Sequence, residues 1–174
     1  MKIGLFYGST TGNTENAADI IAKKFGDGLV AETIDRVSKN DIESFDVLIF
    51  GISTWNIGQL EMTWEYFFPE LDEIDFTGKK VALFGLGDQS NYSDTFLDAL
   101  GILYNKLIEQ GAEIFGFWPT TGYSFDSSLA VQNGKFVGLA LDEDNEGEKT
   151  EERIDQWVKE LKEAIISKPL ELEN

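Results

Sequence analysis

The chain has 174 residues, a formal charge of −18 and neither cysteine nor histidine. That composition excludes disulfides, thiolate chemistry and Cys-ligated metal centres, and it removes the usual general base near neutral pH and the commonest transition-metal ligand. With those side chains missing, a bound group is expected to supply the chemistry, while the acidity opposes nucleic acid and anionic membranes and favours basic partners.

A hydrophobic content of 42% suffices for one buried core, and a single domain is expected over residues 1–168, with a frayed tail at 169–174. The apolar run Ile3–Tyr7 closes on Gly8 and suits a strand buried on both faces. It is too short for a signal peptide, and no later segment approaches a membrane span, so a cytoplasmic monomer is expected. Ala17, Ala18, Ile21, Ala22 and Phe25 recur at helical spacing before Gly26 and Gly28. Val30, Glu32 and Ile34 alternate as in a half-buried strand near a sheet edge, whereas residues 47–52 read as a central strand.

Residues 62–68 form a short predicted helix stopped near Pro69, and residues 81–85 another buried strand. Phe96, Leu97, Leu100, Leu103, Tyr104, Leu107 and Ile108 predict an amphipathic helix, with Ser93 or Asp94 as cap and Gly111 as stop. A fifth strand is expected at 114–118. Residues 119–132 are loop-like, and a strand-like run resumes only at 136–141, so an insertion splits the last strand. Ile154, Trp157, Val158, Leu161 and Ile165 mark a final helix. The alternation predicts an α/β fold: a doubly wound, parallel, five-stranded sheet with right-handed crossovers.

Three loops follow strands at one sheet edge. In the first, Ser9, Thr10, Thr11, Asn13 and Thr14 offer donors around Gly12 at a helix start, where unpaired N–H groups and the positive dipole end attract anions. It lacks the Gly-Lys-Ser/Thr triplet of a nucleotide triphosphatase loop, and a terminal monophosphate fits better than a pyrophosphate. The second, Ser53-Thr54-Trp55-Asn56-Ile57-Gly58, and the third, Gly87-Asp88-Gln89-Ser90-Asn91-Tyr92, each present one aromatic ring among polar residues. Two such rings could clamp a flat heterocycle. The acidic run 142–147 partly mimics a calcium loop, but Arg153 stands where the closing glutamate belongs.

Together the three loops resemble the FMN-contacting loops of the flavodoxins, and the likeness spans nearly the whole chain. Residues 119–141 resemble the insertion of long-chain flavodoxins from cyanobacteria and nitrogen-fixing bacteria. The resemblance implies strand order 2-1-3-4-5, with FMN at the switch point between strands one and three, a placement for which flavodoxin is itself the standard example. It implies that residues 9–14 hold the FMN phosphate and that Trp55 and Tyr92 flank the ring, Tyr92 the closer. It also implies that the Asn56-Ile57-Gly58 peptide turns over on reduction, and that Asp88 and Asp144 reach the pyrimidine edge and the ribityl chain. Thr95 stands where many relatives carry asparagine.

The same resemblance implies a low-potential one-electron carrier that cycles between semiquinone and hydroquinone, replaces ferredoxin, and turns over no substrate of its own. Its partners would be ferredoxin-NADP reductase, pyruvate oxidoreductase, photosystem I or nitrogenase reductase. A flavodoxin-like FMN-dependent NAD(P)H:quinone reductase is the enzymatic alternative, which Tyr92 over the ring would obstruct. A receiver-type signalling domain would need acids at Gly8-Ser9-Thr10 and at Ser53. Nine acids and no Lys or Arg lie between Asn40 and Gly78, predicting a negative end around the ring, with Glu61 and Glu65 steering basic partners.

Overall fold

Ten strands and six helices follow one another along residues 1–167, the part of the chain that the computed structural model describes; the frayed tail expected at 169–174 lies outside the described residues. The strands are β1 (Ile3–Tyr7), β2 (Leu29–Thr33), β3 (Val47–Trp55), β4 (Gln59–Leu60), β5 (Lys80–Leu86), β6 (Glu113–Phe115), β7 (Trp118–Pro119), β8 (Val131–Gln132), β9 (Lys135–Phe136) and β10 (Leu139–Leu141). The helices are α1 (Asn13–Phe25), α2 (Lys39–Glu43), α3 (Met62–Phe67), α4 (Asp98–Glu109), α5 (Glu143–Glu146) and α6 (Thr150–Ile166).

The most apolar runs take the centre of the sheet because each must be covered twice. β1, β3 and β5 pair in parallel, with β2 on the outer flank of β1. β2 lies at the sheet edge, as expected, but its burial does not alternate: Val30 is exposed, and Ile34 falls beyond the strand, buried in a 3-10 turn. The fifth position is shared: β6 pairs with the first half of β5 and β10 with its second half, both in parallel. The order is therefore the expected 2-1-3-4-5, and the split last strand is real. The segment between the halves builds its own antiparallel sheet, β7-β9-β8.

That small sheet redraws two expected strands. The run 114–118 divides between β6 and β7, and 136–141 between β9 and β10, because each half bonds to a different sheet. Its rings pack inward on the domain: Phe136 lies 5.8 Å from Phe96 and 5.2 Å from Tyr123. The Tyr123 hydroxyl donates to the Ala140 carbonyl at 2.6 Å and accepts from Trp118 Nε1 at 3.0 Å. Burial pushes the Tyr123 hydroxyl up to about 12, the Arg153 guanidinium opposing, so it stays protonated.

Helix starts depart from the sequence expectation in two places. α4 begins at Asp98, after a single 3-10 turn at Ser93–Thr95 and a left-handed Leu97 (φ 59°). Neither Ser93 nor Asp94 caps it; Thr54 of the second loop accepts the Ala99 N–H at 3.1 Å. A cap delivered from 45 residues away leaves no local signature. α2, which the spacing did not reveal, is held by a capping box between Ser38 and Asp41.

Candidate functional site

The three loops leave the carboxyl ends of β1, β3 and β5 and converge on one cavity of about 390 Å³, within the range of small-molecule sites. Thr11, Asn13, Thr14, Ser53, Thr54, Trp55, Asn56, Gly87, Asp88, Tyr92 and Asp144 line it, joined by Leu86 and Glu143, which the sequence did not single out. A hollow of about 370 Å³ at residues 72–77 and 109–111 has four carboxylates and no ring on its wall, so loop convergence rather than volume identifies the site.

The hydroxyls of the first loop divide into two sets. Thr11 and Thr14 face the cavity, with Asn13 between them at the start of α1. Ser9 and Thr10 do not. Ser9 Oγ accepts the Gly12 N–H at 3.1 Å and the Glu15 N–H at 3.4 Å. Thr10 Oγ1 donates to Glu61 Oε1 at 2.7 Å. Gly12, with φ 93°, makes the left-handed step into the helix that a side chain would resist. The N–H groups of the first helical turn then carry the positive end of a 13-residue helix to the cavity.

In the second loop, Trp55 Nε1 donates to Ser53 Oγ at 3.0 Å and Asn56 Nδ2 to Gln59 Oε1 at 2.8 Å. The chain reverses through Asn56 (φ 48°) and Gly58 (φ 81°), both left-handed, and then pairs β4 back onto Thr54 and Trp55. Ile57 stands at the tip, 80% exposed and off the cavity wall, as is Gly58. Beneath the turn, the buried Asp98 carboxylate accepts the Leu129 N–H at 2.8 Å. Its second oxygen would lie 3.0 Å from a Cβ on Gly58. Burial raises the Asp98 carboxyl above the ordinary aspartate value.

The third loop is knotted by Asp88, whose Oδ1 accepts from Ser90 N–H, Asn91 N–H and Asn145 Nδ2 at 2.8–3.1 Å, and whose Oδ2 accepts from Asn91 Nδ2 at 2.8 Å. Partial burial alone would raise that carboxyl, but these bonds together hold it below the usual range. Gln89, missed as a functional residue, is buried and braces the loop from below. It donates to Asp142 at 2.8 Å and to Glu146, and accepts from the Ser124 N–H at 2.6 Å. Two acids of the would-be calcium loop, Asp142 and Glu146, thus serve the third loop, and Asp142 also caps α5. Tyr92 is 44% exposed at the rim.

Among the described residues, charge on the wall is wholly negative or neutral, with no lysine or arginine. Asp144 is raised above its ordinary value by burial first, then by Asp88, Asp142 and Glu143. The acids between Asn40 and Gly78, however, do not all surround the rings. Asp41 caps α2, Asp46 accepts the Lys2 N–H, Asp72 pairs with Lys106 at 2.7 Å and Asp75 binds Thr77. Glu61 is fully buried and cannot steer a partner. The exposed acid of this run beside Trp55 is Glu65.

A flavodoxin family model matches residues 5–157. The chain is 54% identical over 169 residues to a flavodoxin of Synechocystis, covering 95% of this chain and 99% of that one. It is 48% identical over 164 residues to flavodoxin 1 of Escherichia coli, covering 93% of each. Among solved structures it resembles a Fusobacterium nucleatum flavodoxin bound to flavin mononucleotide, with a TM-score of 0.88 and 35% identity over 94% of this chain and 98% of that one.

Proposed function

The chain belongs to the flavodoxin family, and from that premise we propose that it binds FMN as a low-potential one-electron carrier of the long-chain type. One observation carries the reading: a single cavity is lined both by hydroxyl donors at a helix N-terminus and by the rings of Trp55 and Tyr92. That combination fits a molecule that joins a phosphate to a flat heterocycle. The long-chain assignment rests on the insertion that parts β6 from β10.

Bound FMN would supply one-electron chemistry between its semiquinone and hydroquinone levels. Thr11, Asn13, Thr14 and the first-turn N–H groups would hold the phosphate with neutral donors, while Ser9, Thr10 and Gly12 shape that loop. Trp55 and Tyr92 would flank the ring, with Gly87 and Asp88 at its edge and Ser53, Thr54 and Asp144 toward the ribityl chain. The Asn56-Ile57-Gly58 turn would present a carbonyl to the ring, a rearrangement made inexpensive by Gly58.

With no cation on the wall, negative charge on the ring would meet carboxylates only. A carboxylate about 10 Å away costs roughly 1.7 kcal/mol at an effective dielectric near 20, or about 70 mV for one electron. We further propose that the protein works in the cytoplasm as a substitute for ferredoxin, without substrate turnover. Its partners would be basic redox proteins such as ferredoxin-NADP reductase, pyruvate oxidoreductase, photosystem I or nitrogenase reductase. An anaerobic redox titration of the FMN-loaded protein tests the reading. Two resolved one-electron steps, the second far below that of free FMN, are expected. A single two-electron step with rapid NAD(P)H oxidation would establish the quinone-reductase alternative instead.

A further inference from the structure

Glu61 is the anomaly among the acids: a fully buried carboxylate for which no lysine or arginine among the described residues lies within ion-pair distance. An unpaired charge is retained in a core only when hydrogen bonds replace its water. Four neutral donors do so here. Thr10 Oγ1 donates to Oε1 at 2.7 Å, Thr63 Oγ1 at 3.0 Å and the Thr63 N–H at 3.1 Å; the Trp64 N–H approaches Oε2 at 3.4 Å. Three of these come from the start of α3, which Glu61 caps. The fourth comes from the first loop, and a capping role does not account for it.

Two further contacts extend the link. A Cβ on Gly8 would collide with the Glu61 carboxylate, so the first loop leaves β1 directly against it. The Glu61 N–H donates to the Ser53 carbonyl at 3.2 Å, and Glu61 follows β4, which pairs with Thr54 and Trp55. One residue therefore holds the first loop by its side chain and the second by its backbone. With the Thr10 hydroxyl turned to Glu61, Thr11, Asn13 and Thr14 are the first-loop side chains left on the cavity wall.

We propose that Glu61 is a positioning residue for the phosphate-binding loop of the cavity, acting through the Thr10 hydroxyl. It never touches the ligand, and its own charge opposes a phosphate, so its contribution is geometric. The inference rests on the FMN reading, and the experiment separates the two.

The test is equilibrium binding of FMN and of riboflavin, which lacks the phosphate, to the apo-protein and its variants. Glu61→Met keeps the length of the side chain and removes both acceptor oxygens, whereas glutamine could still turn its amide oxygen to Thr10. It should weaken FMN about tenfold, the loss of a hydrogen bond to a charged group, while leaving riboflavin within about twofold. Thr10→Val should give the same selective loss. Thr10→Ser, which keeps the hydroxyl, should restore wild-type affinity, and the Glu61→Met/Thr10→Val pair should be no worse than either alone. Unchanged or tighter FMN binding in Glu61→Met, equal losses for the two ligands, or additive effects of the two substitutions would each overturn the proposal. Should Glu61→Met not fold, the Thr10→Val and Thr10→Ser comparison decides by the same ratio. Failure of the wild-type apo-protein to bind FMN would instead overturn the cofactor reading itself.

Discussion

The first and second loops of the cavity are built on opposite principles. The first is tied by Ser9 and Thr10, and it rests on a buried carboxylate. In the second, the turn after Trp55 is held by one side-chain bond from Asn56 and a two-residue strand. It carries Ile57 in solvent and two left-handed residues. A rigid loop suits a group whose charge does not change; a sparsely tied loop suits one whose electron count does. The contrast also orders what substitutions should do.

The largest effect is expected at the rigid loop. Glu61→Lys would strand the Thr10, Thr63 and Trp64 donors and place an ammonium among them. Stability should fall by about 3–5 kcal/mol, the cost of breaking a buried charged network, as read by the midpoint of urea unfolding. Glu65→Lys, four residues on but exposed, should leave that midpoint unchanged. Equal midpoints would mean that Glu61 carries no such load.

A smaller loss is expected where the insertion meets the domain. Tyr123→Phe removes the hydroxyl between Trp118 Nε1 and the Ala140 carbonyl, leaving a donor and an acceptor without it, for about 1–3 kcal/mol. Retained stability would show that the insertion is held by its rings alone. At the sparsely tied loop, Gly58→Ala forces a side chain into φ 81° and against Asp98, costing about 1–2 kcal/mol. Its distinguishing sign should be a shifted reduction potential, whereas the Tyr123 variant should alter stability alone.

Asp98 adds a pH dependence. Burial raises its carboxyl, so the folded chain keeps that proton to higher pH than the unfolded chain does. Stability contributed there falls as pH rises from near the ordinary value of 3.8 through the raised one, and above both the buried charge is a constant cost. Asp98→Asn still offers an oxygen to the Leu129 N–H. It should flatten that slope and stabilise the protein at neutral pH, as followed by unfolding midpoints across the acid range. An unchanged slope would mean the carboxyl titrates normally.

The sheet was legible because its signals are local. Apolar runs long enough to be buried twice marked β1, β3 and β5, and the break after Trp118 marked the insertion. The loop residues on the cavity wall were legible as side-chain types following strands. What stayed hidden was tertiary. Thr54 caps α4 from 45 residues away, Gln89 joins the third loop to α5 and the insertion, and Glu61 turns inward while Glu65 faces solvent. Counting acids between Asn40 and Gly78 gave the sign of the surface but could not say which carboxylates were spent on caps, pairs or the core.

That redistribution leaves the smallest prediction resting on few charges. Of the acids first expected to steer partners, Glu65 remains beside Trp55, in a hollow it shares with Met62, while Asp88, Glu143 and Asp144 line the cavity itself. Glu65→Lys changes the local field by two charges without touching Trp55's anchor on Ser53. Electron transfer to a basic partner should slow by a few-fold, roughly the effect of altering one rim charge on association at low salt. The difference should vanish toward about 1 M salt, where the screening length falls to about 3 Å. Glu70→Lys, on the 3-10 turn after α3 and off the cavity wall, serves as the control. If both variants slow transfer equally, net charge governs encounter; if only Glu65→Lys does, the second loop itself is where partners dock.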